Sequence, residues 1–482
     1  MVWRSRSGSS RQGAASPTSD VVLKKDVPPH VGGVLGVLMG AGHQAFIVGG
    51  ACRDLLDGLE PHDWDVATSA TPPQVCGLFE GRFRLMRQGE KHGTIGVCSH
   101  DGEPTCVEIT TFRSETTYSD GRRPDSVEFV GTIEEDLSRR DFTVNALALR
   151  WPDMAVVDPF GGLADLRRRL IRCVGDPKAR FGEDGLRLLR ALRLEAERGW
   201  KVEKDTYGAL RLQAKLLTRV SKERIRDEFA RVMTGKFAAV ALRDLVKTGL
   251  LTRFIPEFTE SVDFDQRTRH HRRKLDEHVV ETVSWVPGRL ELRLAALLHD
   301  IAKPRTFTLD EDGQGHFYGH NKLGAEVSAE ILRRLRFSRD TINTVSLLVK
   351  EHMFAYGPQV TDTGLRRLIG RVGKENIGDL FELRRADIVA SGGLPDPWLD
   401  DTWERVCAIV EGRQPTGQTD LAIDGNDVMR ATGWEPGPKV GRALDMLLER
   451  VLQEPEMNER SKLLAVLGEI RETVEGAGCS KG

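Results

Sequence analysis

The spacing of apolar positions in the first third of the chain is typical of strands. Between residue 31 and about residue 165, short apolar runs alternate with helical stretches. The runs at 45–48, 93–98 and 106–112 have the length and the content of strand-forming residues expected of strands, and the run at 45–48 is predicted to be buried. This part of the chain is therefore predicted to fold as an α/β head.

The pattern changes beyond about residue 166, where the strand signals fade. Helical periodicity broken by Gly and Pro takes over, for example at 290–301 and 323–335. The chain is therefore predicted to have an α+β fold, in which the head is followed by a long all-α region.

Composition allows several domains and leaves nucleic-acid binding open. The chain has 482 residues, of which 29% are charged, and its net charge is −2. Basic residues are nevertheless clustered at 167–169, 187–198 and 270–274. Such runs can bind nucleic acid, although each is also typical of a solvated helix face.

Cysteine usage and hydropathy bear on where the protein resides. The seven cysteines are dispersed and form no C-x-x-C pair, which suits a reducing compartment and argues against a zinc ribbon. No run of about 18 apolar residues occurs, so no membrane span is expected. The Ser-, Gly- and Arg-rich start predicts a disordered tail, with an organelle transit peptide as the alternative. We expect a cytoplasmic protein.

A glycine-rich turn follows the first predicted strand and precedes two aspartates. It reads Gly-Gly-Ala-Cys-Arg-Asp at 49–54, and Asp63 and Asp65 follow. Backbone N–H groups at such a turn, with Arg53, can face an anion. Two carboxylates on one strand face repel unless a cation lies between them, and Mg²⁺ prefers oxygen ligands and substrate phosphates. Each feature alone is usually an ordinary turn or loop, but together they indicate phosphoryl or nucleotidyl transfer.

Three further motifs follow the turn along the chain. They are Arg-Arg-Asp-Phe-Thr-Val-Asn-Ala at 139–146, Asp-Pro-Phe-Gly-Gly at 158–162 and Glu-Asp-Gly-Leu-Arg-Leu-Leu-Arg-Ala-Leu-Arg at 183–193. On one helix, Asp184 and Arg187 would share a face, and Arg190 and Arg193 would continue the row. Seen alone, this row would be an ion pair on a solvated helix.

Taken in order, these motifs resemble those of the class II nucleotidyltransferases that add CCA to tRNA 3′ ends, a family shared with bacterial poly(A) polymerases. The family's neck is resembled by the segment 221–225, and its body and tail by the segments 362–368 and 425–428. The resemblance therefore runs from about residue 31 to 470. It implies a polymerase-β-like nucleotidyltransferase head that uses Mg²⁺, with tRNA, CTP and ATP as partners.

The resemblance also implies residue roles. Asp63 and Asp65 would hold two metal ions, and Glu108 is a candidate third carboxylate, although an ordinary strand glutamate is nearly as good an interpretation. The other residues would bind the nucleotide through its triphosphate, ribose or base; they are Gly49, Gly50, Arg53, Arg140, Asp141, Asn145, Asp184, Arg187, Arg190 and Arg193.

Asp184 and Arg187 would read the base. Cytosine and adenine each present an amino donor beside a ring-nitrogen acceptor, which a carboxylate and a guanidinium match. Uracil and guanine present the opposite pattern and would leave buried groups unpaired, at a cost of roughly 1–3 kcal/mol each. A loop carrying Arg122, Arg123 and Asp125 would help to reshape the pocket between C and A.

A second motif, His299-Asp300, ends an apolar helix in the body. With His278 and Asp387 it resembles the HD phosphohydrolase motif, whose His and Asp residues bind a divalent metal, and His320 and His352 are extra histidines. Imidazole and carboxylate ligands suit Mn, Fe, Ni or Zn. The expected chemistry is hydrolysis of a 2′,3′-cyclic phosphate or a 2′-nucleotide, and the alternative is a vestigial motif that only joins helices.

The resemblance predicts five regions: a tail at 1–30, the head at 31–166, a helical neck with the base-selecting motif at 167–235, a helical body with the HD-type motif at 236–410 and a helical, tRNA-binding tail at 411–482. The alternatives to full CCA addition are a CC-only, A-only or poly(A)-adding relative, an HD phosphohydrolase whose head only binds RNA, and a non-catalytic tRNA-binding protein. The sequence does not indicate an oligomeric state.

Overall fold

The computed structural model describes residues 26–99, 105–115, 127–268 and 273–476. The chain forms two compact units. One runs to Arg224 and includes 248–250, and the other comprises 225–247 and the chain from Leu251 onward. Most of the predicted tail, the loop with Arg122, Arg123 and Asp125, and part of the basic run at 270–274 lie outside the described residues.

A seven-stranded mixed sheet forms the centre of the first unit, in the order β3-β4-β5-β2-β1-β8-β9. Its strands are β1 (Ala45–Val48), β2 (Trp64–Thr68), β3 (Arg84–Met86), β4 (Thr94–Cys98), β5 (Cys106–Thr111), β8 (Ala148–Arg150) and β9 (Ala155–Val157). A separate hairpin pairs β6 (Arg113–Glu115) with β7 (Val127–Phe129). Neighbouring strands are antiparallel except for β2 and β5, which are parallel. The three strands expected from apolar runs are therefore present.

The burial of these strands follows their sequences. All four residues of β1 are buried, as an unbroken apolar run predicts. β5 instead alternates, because Val107 and Ile109 are buried and Glu108 between them is exposed. One face of β5 thus packs into the core, and the other presents Glu108.

The described part of the first unit also contains helices. They are α1 (Pro29–Gly40), α2 (Gly49–Leu56), α3 (Pro72–Phe79), α4 (Ile133–Ser138), α5 (Gly162–Arg168), α6 (Pro177–Glu183), α7 (Arg187–Arg198) and α8 (Lys204–Leu212). Phe46 and Val48 of β1 join a buried cluster with Phe112, Ile133 and Leu137. The cluster fixes the end of β1 from which the glycine-rich turn leaves the sheet.

The second unit is helical. Its helices are α10 (Ala238–Lys247), α11 (Leu251–Phe254), α12 (Leu275–Trp285), α13 (Leu290–Leu298), α14 (His320–Arg334), α15 (Arg339–Glu351), α16 (Asp362–Val372), α17 (Ile377–Ala390), α18 (Pro397–Glu411), α19 (Gly425–Thr432), α20 (Pro438–Gln453) and α21 (Arg460–Gly476), and α9 (Lys222–Thr234) begins in the first unit and continues into the second. The α+β prediction is confirmed.

Two details differ from the predicted pattern after residue 166. Short strands pair there, β10 (Leu170–Ile171) with β11 (Lys201–Val202) and β12 (Thr308–Leu309) with β13 (Gly315–His316). Each has only two residues, which is too short to leave a periodic signal in the sequence.

Two of the seven cysteines, which the sequence pattern suggested were dispersed thiols, form a disulfide. Cys98 and Cys106 face each other in the antiparallel register of β4 and β5, where their sulfur atoms are bonded. Their separation of eight residues gave no indication of the strand pairing. Among the described residues, no helix is long and apolar enough to cross a membrane.

Candidate active site and metal centre

The glycine-rich turn lies directly against one of the predicted metal-binding aspartates. Val48 pairs with Asp65 in the antiparallel register of β1 and β2, so the next residue, Gly49, lies beside the Asp65 carboxylate. Gly49 has φ +66°, and a Cβ there would lie 2.9 Å from Asp65 Oδ2 and 3.2 Å from Arg140 Nη1. The position therefore requires glycine for two reasons: its backbone is left-handed, and the Asp65 carboxylate and the Arg140 guanidinium leave no room for a side chain.

Asp63, Asp65 and Glu108 lie on one region of the sheet. Trp64 is buried, so the aspartates on either side of it project away from the core. Asp65 pairs with Glu108 in the parallel register of β2 and β5, which places these two carboxylates on neighbouring strands. The structure does not, however, bring all three carboxylates within 4.8 Å of one another.

The electrostatics of these carboxylates fit a cation site. Burial raises the pKa of Asp65, and the charge of Asp63 adds to this effect while Arg140 opposes it. Partial burial and the negative charges of Asp65 and Asp63 raise the pKa of Glu108. A divalent cation would relieve this repulsion, and an all-oxygen ligand set suits Mg²⁺.

A hydrogen-bonded chain connects three of the sequence motifs. Arg53 donates from Nη1 to Asn145 Oδ1 at 2.8 Å and from Nε to Asp54 Oδ1 at 2.9 Å. Asn145 Nδ2 donates to Asp141 Oδ1 at 2.9 Å, and Arg190 Nε donates to Asp141 Oδ2 at 2.8 Å. The glycine-rich turn, the motif at 139–146 and helix α7 are thus joined around one site.

Asp141 is the anionic centre of this chain. Burial alone would raise its pKa, yet the guanidinium of Arg190 and the amide of Asn145 hold the pKa of Asp141 well below its usual range. The carboxylate is therefore ionised at neutral pH, and it fixes the orientation of both partners.

The predicted row of Asp184, Arg187, Arg190 and Arg193 on one helix is wrong at its first member. Helix α6 ends at Glu183, and Asp184 is extended (φ −141°, ψ 109°) before α7 begins at Arg187. Gly185 lies within the break, and a larger residue would not fit there, because a Cβ would lie 2.9 Å from Leu216 O. The two residues expected to read a base therefore lie on either side of a sharp chain turn.

The backbone N–H of Arg187 donates to Asp184 O at 3.0 Å, and the side chains of both residues have further partners. Asp184 Oδ2 accepts a hydrogen bond from Arg224 Nη2 at 2.7 Å, and Oδ1 accepts one from Leu186 N at 3.0 Å. Arg187 contacts the Glu183 carboxylate and donates to the backbone oxygen of Arg139 at 3.1 Å. Arg224, in the segment that resembles the neck motif, is thus a functional candidate whose partner the sequence spacing did not indicate.

The motif at 158–162 has a structural role in the turn before α5. The Asp158 carboxylate accepts hydrogen bonds from the N–H groups of Gly162 at 2.7 Å and Leu163 at 3.0 Å. A Cβ on Gly162 would lie 2.2 Å from Thr143 O, so glycine is required there. The motif is thereby packed against the backbone of the motif at 139–146.

Asp136 is a site residue that sequence reasoning missed. It is fully buried and contacts Arg139 Nη2 at 2.8 Å and Arg140 Nη2 at 3.1 Å. Burial would raise the pKa of Asp136, but these two guanidinium groups lower it. The only sequence signal was its i,i+3 and i,i+4 spacing to the two arginines.

The predicted HD-type residues converge in the second unit. Nε2 of His278 lies 3.2 Å from Nε2 of His299, 3.4 Å from Asp300 Oδ2 and 3.3 Å from Asp387 Oδ1. His299 Nε2 lies 3.1 Å from Asp300 Oδ2. With metal–ligand bonds of about 2.1 Å, neighbouring ligands of one ion are roughly 3.0–3.4 Å apart. These four buried side chains therefore fit a divalent metal ion.

His320 and His352 lie beside this group. Their Nε2 atoms are 3.3 Å apart and lie 3.5 Å and 3.9 Å from Asp300 Oδ1. The structure thus brings together all six residues named from the sequence, from α12, α14, α17 and the segments after α13 and α15.

The charge states within this cluster differ. Burial lowers the pKa of an imidazole, yet Asp300 and Asp387 raise the pKa of His299 to about 10. Burial and the charge of His299 lower the pKa of His352 to about 3. Lys303 Nζ lies 2.7 Å from Asp300 Oδ2 and places a further positive charge beside that carboxylate.

A cavity of about 410 Å³ opens beside the cluster. Tyr356, Arg384 and Trp398 are among its lining residues. Arg384 Nη1 lies 2.8 Å from Asp387 Oδ2, and its guanidinium lies 5.7 Å from the centre of the Tyr356 ring. Arg384 thus connects this cavity to one of the candidate metal ligands.

Comparison with known families agrees with the arrangement of these sites. Residues 45–172 match the poly A polymerase head domain, 199–261 match the probable RNA and SrmB-binding site of polymerase A, and 275–390 match the HD domain. The first match contains the carboxylates and the hydrogen-bonded motif, and the last contains all six residues of the metal cluster.

Individual relatives match over nearly their full length. A CCA-adding enzyme of Levilactobacillus brevis is 44% identical over 438 residues, which cover 90% of this chain and 96% of the relative. One of Geobacillus thermodenitrificans is 33% identical, covering 92% and 97%. The crystal structure of the Bacillus stearothermophilus CCA-adding enzyme in complex with CTP superposes with a TM-score of 0.69 at 29% identity, covering 94% of this chain and all of that one. The chain therefore belongs to the family of CCA-adding enzymes.

Proposed function

We propose that the protein adds C, C and A to the 3′ ends of tRNA, using CTP and ATP without a nucleic-acid template. The observation that carries the proposal is the hydrogen-bonded chain from Arg53 through Asn145 and Asp141 to Arg190, close to the Asp65 carboxylate. A relative at 29% identity was solved with CTP, which supports a nucleoside triphosphate as the substrate.

Asp63 and Asp65, with Glu108 beside them, would hold Mg²⁺. Two bound ions would supply activation of the tRNA 3′-hydroxyl and stabilisation of the leaving pyrophosphate. Gly50 and Arg53 would bind the triphosphate at the start of α2, where backbone N–H groups favour an anion. Arg140, Arg190 and Arg193 would add positive charge.

Asp184 and Arg187 would select the base. Their charged groups contact Arg224 and Glu183. Cytosine or adenine would replace these contacts with an amino group on the carboxylate and a ring nitrogen on the guanidinium. Uracil and guanine cannot make this exchange, which supports selection of C and A by protein side chains alone.

The cluster in the second unit would hydrolyse a phosphoester such as a 2′,3′-cyclic phosphate or a 2′-nucleotide. His278, His299, Asp300 and Asp387 would bind Mn, Fe, Ni or Zn, which suit mixed nitrogen and oxygen ligands. Arg384 in the adjoining cavity provides a positive group for a phosphate.

The tRNA would lie along the basic helical regions, and its phosphate contacts would make binding weaken steeply with salt.

We also propose that the enzyme acts in the cytoplasm and that the five-part division into tail, head, neck, body and RNA-binding tail describes its organisation.

The test is extension of a tRNA transcript that ends at the discriminator base, with Mg²⁺ and CTP, ATP or both, resolved at single-nucleotide length. Two additions from CTP followed by one from ATP are expected. Arrest after CC, addition of A only to a CC end, or continued addition of A would replace the proposal with one of the narrower activities. Absence of any addition would favour a phosphohydrolase.

A further inference from the structure

The cavity of about 410 Å³ in the second unit is lined by aromatic rings and a guanidinium. Tyr356 lies in the segment after α15, Arg384 lies on α17, and Trp398 lies in the first turn of α18. Small-molecule sites commonly have volumes of roughly 300–1,000 Å³, so the cavity is large enough for a small ligand.

One carboxylate holds two of these aromatic residues in place. Asp396 Oδ2 accepts a hydrogen bond from the Tyr356 hydroxyl at 2.8 Å, and Asp396 Oδ1 accepts one from the backbone N–H of Trp398 at 3.0 Å. The Tyr356 ring also lies edge-on to the buried ring of Phe354, with 6.3 Å between the ring centres. The ring of Tyr356 is thus positioned without a ligand, which lowers the entropic cost of binding one.

Trp398 offers an accessible ring on the same wall of the cavity. It is 53% exposed, although its backbone is fixed by Asp396 at the start of α18. Exposed aromatic rings held in this way are the surfaces on which proteins stack nucleobases. The two aromatic residues therefore suit a flat heterocyclic ligand.

Arg384 joins this wall to the acidic side of the His/Asp cluster. Its guanidinium lies 5.7 Å from the centre of the Tyr356 ring, and its Nη1 lies 2.8 Å from Asp387 Oδ2. Among the described residues, the buried Nε of Arg384 has no hydrogen-bond partner. A buried guanidinium with an unpaired donor suits a phosphate oxygen.

From this arrangement we infer that the cavity binds a single nucleotide, with its base on Tyr356 and Trp398 and its phosphate on Arg384. The inference deepens the phosphohydrolase activity proposed above, on which it rests, because it assigns a nucleoside phosphate as the substrate rather than phosphoesters in general. Stacking tolerates every base, so the site distinguishes a nucleotide from a phosphoester without a base, and not one base from another.

The first test locates the nucleotide on the unaltered full-length chain. The chain is irradiated with 8-azidoadenosine 2′-phosphate, and the labelled residues are identified by mass spectrometry of its peptides. Labelling at 354–359 or at Trp398, suppressed by excess adenosine 2′-phosphate (2′-AMP), is expected. Labelling that is absent, or confined to the head, overturns the inference.

The second test removes one ring and measures hydrolysis with Mn²⁺. Trp398→Ala should raise the KM for 2′-AMP roughly 5- to 150-fold, the loss expected for one stacked base. The KM for glycerol 2-phosphate, which has no base, should stay the same, and Trp398→Phe should restore most of the affinity for 2′-AMP. The control is Trp285→Ala, because Trp285 is 56% exposed in the same unit and does not line the cavity. It should leave both KM values unchanged.

Arg384→Ala tests the phosphate contact. It should raise the KM for 2′-AMP and for glycerol 2-phosphate, because both carry the phosphate. Arg385→Ala is the control, since the neighbouring Arg385 contacts Glu382 and Asp400 instead. Equal KM values in the two variants would remove Arg384 from the site.

The outcomes separate this inference from the activity on which it rests. If the cavity is labelled but the unaltered chain hydrolyses neither phosphoester, the nucleotide site stands and the proposed hydrolysis is overturned. If 2′-AMP is hydrolysed and Trp398→Ala changes its KM no more than Trp285→Ala does, the hydrolysis stands and the base site is overturned.

Discussion

Gly49 and Asp65 approach each other so closely that a Cβ at residue 49 would lie 2.9 Å from Asp65 Oδ2. The contact joins the glycine-rich turn to the proposed metal-binding pair, because β1 and β2 are in register at Val48 and Asp65. The position of the carboxylate thus depends on the absence of a side chain at the residue that follows the neighbouring strand.

Gly49→Ala is therefore expected to reduce nucleotide addition strongly. The left-handed backbone costs a non-glycine residue roughly 1–2 kcal/mol, and displacement of Asp65 by about 1 Å costs on the order of 10²-fold in rate. The measurement is single-turnover addition of C to tRNA. Gly42→Ala is the matched control, because Gly42 has φ +86° and a Cβ there would meet none of the described atoms within 4 Å. Equal rates of C addition by Gly49→Ala and Gly42→Ala would contradict the claim that residue 49 must lack a side chain.

Asp184→Ala is expected to weaken base selection more than fold stability. Loss of one matched contact worth roughly 1–3 kcal/mol should lower the preference for CTP over UTP by roughly 10- to 100-fold. The preference is measured as the ratio of kcat/KM for the two nucleotides. Asp176→Ala is the control, since Asp176 is an exposed cap of the preceding helix. An unchanged ratio in Asp184→Ala would exclude this residue from base reading.

Metal removal should separate the two proposed activities. After treatment with a chelator, Mg²⁺ is expected to restore nucleotide addition through the oxygen ligands of the head, whereas hydrolysis of a 2′,3′-cyclic phosphate should require Mn²⁺ or another metal that accepts imidazole. His278→Ala should abolish hydrolysis in the presence of Mn²⁺. The proposal of two separate metal sites would be contradicted if Mg²⁺ alone restored both activities and His278→Ala had no effect on hydrolysis.

Acid should weaken the C-terminal helices through Asp427. Hydrogen bonds from Arg460, followed by the nearby charge of Arg430, lower the pKa of Asp427 to about 2. Because the folded pKa is below the ordinary value of about 3.9, the stabilisation is present above pH 4 and is lost as the pH falls towards 2. Asp427→Asn should lower the melting temperature of the full chain at pH 7, and the difference from the parent should narrow by pH 3.

Asp401→Asn provides the comparison for that substitution, because Asp401 is an exposed aspartate of α18. It should leave the melting temperature nearly unchanged at both pH values. If the melting temperature of Asp427→Asn were below that of the parent by the same amount at pH 7 and pH 3, the stabilising role assigned to the ionised Asp427 carboxylate would be contradicted.

Local patterns in the sequence predicted the elements that carry the sites. The apolar run at 45–48 is β1, and the Gly-Gly turn begins α2 as its composition suggested. The histidines and aspartates named in the body each lie on or next to a helix, and the structure brings them together as expected. The roles assigned to individual residues remain predictions.

Long-range pairings were not predictable in the same way. The contact between Asp184 and Arg224 joins residues 40 positions apart, and it depends on how α6, α7 and the start of α9 pack. The register that pairs Cys98 with Cys106 and the burial of Asp136 also arise from tertiary structure. The helical row expected at 184–193 is interrupted, because α6 ends at Glu183 and α7 begins only at Arg187. The packing of Gly185 against Leu216 O, which lies within this break, is not visible in a local pattern.

The most direct test of the central claim is the addition of nucleotides to a tRNA ending at the discriminator base by the unaltered chain and by Asp65→Asn, with Mg²⁺, CTP and ATP. The unaltered chain is expected to add C, C and A, whereas Asp65→Asn is expected to add nothing while keeping its fold and its affinity for tRNA. Addition of CCA by Asp65→Asn at the rate of the unaltered chain would contradict the assignment of the head as a metal-dependent nucleotidyltransferase site built on this carboxylate.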